Sequence, residues 1–333
     1  MINIGFLGAG DIAGLHAEAI SAVKGGQLAV VADVIPERAS ELAGQFEAVA
    51  VSDLESLLSF PGLDVVYILT PPEYHAQQIK TAASAGIPVM CEKPLTVTLE
   101  EADDVIDACK LASVLLMTGL SHRFHPLASH AKDLLLEGAL GQFVGAWSHR
   151  LTTLTIPVDS WLNDLSVGGG LTLQYAMHDL DWLCWLGGSV SQVMAQETHT
   201  NPLLSIEDNL WALLRFEEGG SGNVGVSWSA PYRWTERGVV GSEGNLRIEE
   251  QKRLVGQLSD GRTLNEDLGD DYDWLDVFIR ESQHVVDCLR FGRSFAVSGE
   301  DGRRALEISL AVQKAAQTGR TVSLPINNKG DLR

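Results

Sequence analysis

Basic residues are scarce in this chain of 333 residues. It has 24 Lys and Arg against 44 Asp and Glu, which gives a formal net charge of -20. Recognition of nucleic-acid phosphates or anionic lipid headgroups depends on clustered Lys and Arg. The composition therefore argues against a nucleic acid or a membrane surface as a partner.

Cysteines and long apolar runs are also few. The four cysteines have neither CxxC spacing nor a His at zinc-finger spacing, which predicts reduced thiols in the cytoplasm and no metal site. No apolar run approaches the roughly 20 residues of a membrane helix. The first residues, MINIGFLGAG, lack the basic region of a signal peptide. We therefore expect a cytoplasmic protein.

The chain does have enough apolar sequence for two domains, since 45% of its residues are hydrophobic and a domain takes about 150 residues. In the first third, runs rich in Val and Ile alternate with helical patterns, which predicts a parallel sheet with right-handed crossovers. Capping boxes predict helix starts at Ser52 and Thr98. The predicted strands are Ile2–Leu7, Gln27–Asp33, Asp64–Thr70, Pro88–Lys93 and Leu115–Leu120.

The pattern changes after about residue 121, where strands follow one another in series. This predicts an α+β domain on a mostly antiparallel open sheet. We therefore divide the chain into an α/β domain over residues 1–121 and an α+β domain over residues 122–326. The predicted strands are Val144–Thr153, Val190–Thr200, Asn209–Phe216, Ser221–Ser229 and Asn245–Glu250, and the predicted long helices are Gly170–Leu186, Trp274–Phe291 and Glu300–Thr318.

A glycine loop follows the first predicted strand and opens a helix. Gly8 permits the tight turn, and Gly10 lets the backbone approach a pyrophosphate. The helix N-terminus at Asp11 and Ile12 then presents free N–H groups to the phosphates. Tight turns also use glycine without any ligand, but the strand before and the helix after favour a Rossmann dinucleotide site.

Asp33 ends the second predicted strand, at the distance from the glycine loop where an acidic residue binds the adenosine ribose. A carboxylate there would repel a 2′-phosphate, which favours NAD over NADP. Arg38 leaves NADP open, because a nearby Arg can bind a 2′-phosphate. Arg38 is equally compatible with a plain surface position on a helix.

Two further strand ends are expected at the same edge of the sheet, where open α/β folds bind ligands. Thr70 and Pro71 follow one strand, and His75 just beyond either lines the cofactor pocket or only caps the next helix. Glu92 and Lys93 end another strand. Lys93 can donate to a substrate hydroxyl and stabilise an alkoxide as hydride leaves, although a Glu-Lys pair is more often a solvated surface pair.

At these residues the chain resembles the glucose–fructose oxidoreductase / inositol dehydrogenase / rhizopine-catabolism (Gfo/Idh/MocA) family over nearly its whole length. In such proteins the lysine at the place of Lys93 contacts both the nicotinamide ribose and the substrate hydroxyl, and the proline after it, here Pro94, commonly follows a cis peptide bond. The matching stretches are GFLGAGDIAGLHAEAI, TPPEYHAQQIKTAASAGIPVMCEKPL, HRFHP and GGGLTLQYAMHDLDWLCWLGG.

The family's second motif pairs an Asp with a His four residues later on a helix. His178 stands at the His place, where the resemblance implies a general base, but Gln174 replaces the Asp. A glutamine can hydrogen-bond a polyol but cannot raise the basicity of an imidazole as a carboxylate does. We predict catalytic roles for Lys93, His178 and Gln174. Asp181 either orients His178 or is a surface acid.

The resemblance implies an NAD(P)-dependent dehydrogenase or reductase that acts on a hydroxyl-bearing carbon of a sugar, sugar acid or cyclitol. Arg123, in the HRFHP stretch, is expected either at the substrate or in a structural ion pair across the domain junction. Family members pair through the open face of the second sheet, so a homodimer or homotetramer is expected. Two alternatives are an NAD-dependent glycoside hydrolase of the same fold and a non-enzymatic dinucleotide-binding regulator.

Overall fold

The computed structural model describes residues 1–154, 156–157 and 160–326, apart from the side chains of residues 161, 166 and 167. The strands are β1 Ile2–Leu7, β2 Gly26–Ala32, β3 Val49–Val51, β4 Val65–Ile68, β5 Val89–Glu92, β6 Leu116–Gly119, β7 Phe143–Thr153, β8 Val190–Thr198, β9 Asn209–Phe216, β10 Ser221–Ser227, β11 Ser229–Gly241, β12 Gly244–Glu249, β13 Arg253–Leu258, β14 Thr263–Asp267 and β15 Val322–Ser323.

Ten α-helices accompany these strands in the described part of the chain: α1 Asp11–Ala22, α2 Pro36–Gln45, α3 Leu54–Leu58, α4 Pro72–Ser84, α5 Leu99–Ala112, α6 Pro126–Leu136, α7 Leu165–Gly168, α8 Met177–Gly187, α9 Leu275–Phe291 and α10 Gly299–Thr318. Short 3-10 turns lie at Ser121–Phe124 and Trp161–Asn163, and a π-helical segment at Thr172–Ala176 leads directly into α8.

The chain forms two compact units, one of residues 1–124 with 273–303 and the other of residues 125–272 with the chain from 304 onward. The first boundary lies three residues after the predicted one. Residues 273–303, which the sequence places in the second domain, belong to the first unit. The physical reason is the apolar face of α9, where Val277, Phe278 and Val285 are buried and Phe278 packs on His16 of α1.

The first unit contains a six-stranded parallel sheet in the order β3-β2-β1-β4-β5-β6, the Rossmann arrangement expected. All four residues of β4 are fully buried, as expected for a strand that is covered on both faces. Because β1, β4 and β5 are neighbours and run in parallel, the chain segments after them emerge at one edge of the sheet.

The second unit contains a nine-stranded sheet in the order β14-β13-β12-β11-β7-β10-β9-β8-β15. Its described pairings are antiparallel except that β10 runs parallel to β7, which confirms the mostly antiparallel sheet. Alternate residues of β9, Leu210, Ala212 and Leu214, are buried in a core that also includes α8 and α10. The residues between them, Trp211 and Leu213, are about half exposed on the other face.

Candidate active site

The glycine loop after β1 has the geometry that a close approach of the backbone requires. Gly8 has φ +103°, and a Cβ there would lie 2.7 Å from the carbonyl oxygen of Leu69. Gly10 is the N-cap of α1, and a Cβ at Gly10 would have no neighbour within 4 Å. The space in front of the helix N-terminus is therefore open. A ligand there could reach the first-turn N–H groups of Asp11 and Ile12, which have no carbonyl partner in the helix.

Asp33 fastens the glycine loop to the end of β2. Its Oδ2 accepts a hydrogen bond from the Ala9 N–H at 2.7 Å, and its Oδ1 accepts one from the Ile35 N–H at 2.8 Å. Each carboxylate oxygen has a second lone pair, so the residue can still accept a ribose hydroxyl. Arg38 lies exposed in the first turn of α2.

His75 links the two loops that follow β4 and β5. Its Nε2 lies 2.8 Å from the carbonyl oxygen of Thr70, and its Nδ1 lies 2.9 Å from the carbonyl oxygen of Pro94. The ring is fully buried, and this burial lowers the pKa of His75. The N-cap of α4 is Pro71, so His75 does not cap this helix, which was one of the two roles considered for it. Its observed contacts are with the two loops.

Glu92 is the last residue of β5, with its side chain turned inward, and Lys93 follows it. Oε1 of Glu92 lies 3.0 Å from Nε2 of His16, and Oε2 accepts a hydrogen bond from the Lys93 N–H at 3.0 Å. Burial favours the neutral acid, but His16 and Lys93 outweigh it and leave the pKa of Glu92 below its usual value. Lys93 is half-buried, and its bond to Pro94 is cis, as expected.

Arg123 lies in the 3-10 turn after β6 and forms an ion pair. Its Nη1 is 3.1 Å from Oδ1 of Asp301, and both residues belong to the first unit. Burial would raise the pKa of Asp301, but Arg123 and the Ser298 N–H keep it low. This ion pair lies within the first unit, whereas the sequence predicts one across the domain junction.

In the second unit, Gln174 lies in the π-helical segment before α8. Its side-chain amide donates to the carbonyl oxygen of Gly168. Gln313 of α10 donates to the next carbonyl, that of Gly169, at 2.7 Å. Two glutamine amides therefore hold a turn in which Gly169 and Gly170 have φ near +75°. π-Helical segments are frequent at functional sites.

His178 is buried in the first turn of α8, next to a charge cluster that the sequence did not reveal. Asp179 accepts hydrogen bonds from Ser148 at 2.6 Å, from Arg150 Nη2 at 2.7 Å and from Arg237 Nη2 at 3.1 Å. Burial opposes ionisation of Asp179, but the two arginines keep its pKa below the usual value. The available signal was Arg150 at an inward position of β7, two residues from Ser148.

Comparison with known proteins places both units in one family. Residues 2–120 match the model described as "Oxidoreductase family, NAD-binding Rossmann fold", and residues 128–247 match the GFO/IDH/MocA C-terminal domain. The chain belongs to the GFO/IDH/MocA oxidoreductase family. This confirms the resemblance, the Rossmann domain and the NAD cofactor.

Relatives of the chain within this family include inositol and sugar dehydrogenases. It is 28% identical over 340 residues to the myo-inositol 2-dehydrogenase of Thermotoga maritima, covering 97% of this chain and 98% of that protein. It is 28% identical over 306 residues to D-xylose 1-dehydrogenase (NADP(+)) 2 of Haloferax volcanii, covering 90% and 92%. The solved structure of levoglucosan dehydrogenase with NADH and levoglucosan has a TM-score of 0.89 at 25% identity, covering 97% and 99%.

Each helix of the described residues is too short or too polar to cross a membrane.

Proposed function

We propose that this oxidoreductase transfers hydride between NAD and a hydroxyl-bearing carbon of a sugar, sugar acid or cyclitol. The observation that supports this best is the shared edge of the parallel sheet. The glycine loop, the Thr70–Pro71 loop and Lys93 follow three neighbouring strands there. Relatives that act on myo-inositol, D-xylose and levoglucosan support the substrate class.

NAD fits the residues of this edge better than NADP. The open N-terminus of α1 suits a pyrophosphate, and the Asp33 carboxylate suits unmodified ribose hydroxyls. We propose Asp33 as the ribose ligand, with Arg38 as the residue that would permit use of NADP. Thr70, Pro71 and His75 shape the pocket through the two loops that His75 connects. NAD supplies the hydride acceptor when bound.

Lys93 and His178 are proposed to serve the same reaction. The Lys93 ammonium group would donate to the substrate oxygen and stabilise the negative charge that develops there. His178 would accept the hydroxyl proton as general base. Glu92 acts behind Lys93, because both of its oxygens are directed to His16 and to the Lys93 main chain.

Gln174 is proposed to influence substrate choice through the glycine turn it holds. An amide donates to the Gly168 carbonyl, which an ionised Asp could not do. An amide also does not titrate, so Gln174 would not act as a proton acceptor. For Arg123, the buried pair with Asp301 favours the structural role over substrate binding.

A second copy of this chain is proposed to cover the exposed face of the nine-stranded sheet. Apolar side chains that are about half exposed line this face: Met194, Trp211, Leu213 and Trp234. Sedimentation should therefore give a dimer or tetramer mass, and Leu213→Lys should lower it. Leu111→Lys in α5, at a side chain that is 91% exposed in the other unit, is the control that should leave the mass unchanged. A monomeric wild-type protein would contradict this.

The buried free cysteines are consistent with a cytoplasmic location.

The test of the activity is NADH formation by the purified protein with NAD and a panel of sugars, sugar acids and inositols. Lys93→Ala and His178→Ala should each lower turnover about 100-fold or more, while NAD binding stays within a few fold. Activity that survives both substitutions would remove these residues from the mechanism. Tight NAD binding without turnover on any substrate would favour the hydrolase or the regulator.

A further inference from the structure

A second carboxyl group lies buried behind Glu92, on α9. Glu281 is fully buried, and neither of its oxygens has a hydrogen-bond partner among the described residues. The charge of Glu92 adds to burial in disfavouring ionisation of Glu281. A buried polar group without a partner is rare in folded proteins and calls for a physical explanation.

The surroundings of Glu281 favour the neutral form of its carboxyl group. An ionised carboxylate that is buried without hydrogen bonds is strongly disfavoured, and a second negative charge nearby adds to the cost. Burial and the Glu92 charge raise the pKa of Glu281 well above its usual value. Glu92 is the ionised member of the two, because it has His16 and the Lys93 N–H as partners.

His16 connects the two carboxyl groups. Because ionised Glu92 accepts at Oε1, Nε2 of His16 is the protonated ring nitrogen, and Nδ1 of a neutral ring is then an acceptor. Nδ1 of His16 is buried and has no hydrogen-bond donor among the residues described. Phe278, one turn before Glu281 on α9, packs edge-on against the His16 ring at 5.0 Å. Glu281 thus lies on the face of α9 that contacts His16.

We propose that Glu281 is a positioning residue for Lys93, and this rests on the proposed role of Lys93. The neutral acid donates through a bridging water toward Nδ1 of His16. This adds to the preference for the tautomer in which Nε2–H donates to Glu92, and Glu92 in turn accepts from the Lys93 N–H. The relay therefore runs from α9 through α1 to the end of β5, within the first unit.

Titratable groups around this relay lie on several elements of the first unit. His16 is on α1, Tyr67 on β4 and Glu92 on β5. The Ser121–Phe124 turn adds His122, which packs on Trp274, and Arg123, which is paired with Asp301. Ionisation of Glu281 at high pH would remove the donor and add a charge beside Glu92, so turnover should fall at alkaline pH.

The test compares Glu281→Gln and Glu281→Leu in the NAD-bound enzyme. Gln keeps a neutral donor, so kcat should stay within about twofold of wild type and the alkaline loss should disappear. Leu removes the donor, so kcat should fall about tenfold at all pH values, with the KM for NAD unchanged. Ser282→Ala, the adjacent buried polar residue on α9, is the matched control and should leave kcat unchanged.

Each outcome separates this relay from the proposed function. If Lys93→Ala is inactive but Glu281→Leu keeps the wild-type kcat and pH profile, the relay is wrong and the function stands. If Gln and Leu lose activity equally, Glu281 does not act as a neutral donor. If the Leu variant fails to fold, infrared difference spectra between wild type and Glu281→Gln decide. A carbonyl band of a protonated acid at neutral pH is expected, and its absence overturns the proposal.

Discussion

Behind His178, the buried Asp179 is neutralised by two arginines, whereas behind Lys93 the buried Glu92 has one histidine and a second carboxyl group as neighbours. The first arrangement satisfies its charge with fixed partners on β7 and β11. The second depends on which groups carry a proton. The comparison indicates that ion pairs hold helix α8 in the second unit. The first unit holds its lysine by a hydrogen-bond network that is sensitive to protonation.

Removing the charge of Asp179 should have the largest effect on stability. Asp179→Asn keeps the side-chain shape but removes the negative charge that pairs with the buried Arg150 and Arg237, which should lower the free energy of unfolding by about 3–5 kcal/mol. Urea unfolding measures it. The control is Asp260→Asn, which breaks an exposed pair with Arg262 and should not measurably change stability. Equal effects of the two substitutions would mean that Asp179 is no anchor.

The stability contributed by the Asp179 ion pairs of the second unit should not depend on pH near neutrality. The stability of the first unit should depend on pH, because of Glu281. The folded protein keeps the Glu281 proton above pH 4.5, where the unfolded chain loses it. Stability therefore falls as pH rises toward the raised folded pKa, by about 1.4 kcal/mol per pH unit.

Glu281→Gln removes this slope, so the variant should gain stability over wild type as pH increases. Thermal unfolding at a series of pH values measures the difference, with Ser282→Ala as the variant that keeps the wild-type slope. Parallel pH profiles of wild type and Glu281→Gln would show that Glu281 is already ionised in the folded protein.

Much of the fold follows from local sequence. β1 and β9 were predicted with their observed ends, because both are apolar runs bounded by clear turns. The capping box at Thr98 is confirmed, but the one at Ser52 is wrong. Asp53 caps α3 instead, since its carboxylate accepts from the Ser56 N–H at 2.8 Å. The strand β11 was missed because Pro231 and a run of exposed residues conceal its alternation.

Without the family resemblance, the candidate site was predictable only where it depends on strand ends. Gly8, Asp33 and Lys93 follow parallel strands, so their common edge could be inferred from order alone. The partners behind them could not. His16 and Glu92 are 76 residues apart, and Asp179 and Arg237 are 58 apart. No local pattern links such pairs, and a buried charge looks like a surface charge until its partner is known.

The cofactor end of the first unit offers a smaller test. Asp33→Ala removes the proposed ribose ligand and the acceptor of the Ala9 N–H. It should lower kcat/KM with NAD about tenfold, about 1.4 kcal/mol, while kcat/KM with NADP is unchanged or higher. Arg38→Ala should lower only the NADP value. An unchanged ratio of NAD to NADP use in Asp33→Ala would remove Asp33 from the ribose site.

The smallest effect is expected at the glycine turn of the second unit, where one neutral hydrogen bond is at stake. Gln174→Glu removes the donor to the Gly168 carbonyl, which is worth about 0.5–1.5 kcal/mol, so the KM for the polyol should rise a few fold with little change in kcat. Gln313→Glu removes the neighbouring donor to Gly169 and is the matched control. If both variants raise the KM alike, the turn carries the effect. If only Gln174→Glu raises the KM, Gln174 contacts the substrate itself. Gln174→Asp should then raise activity on inositols, because a carboxylate binds polyol hydroxyls and raises the basicity of His178.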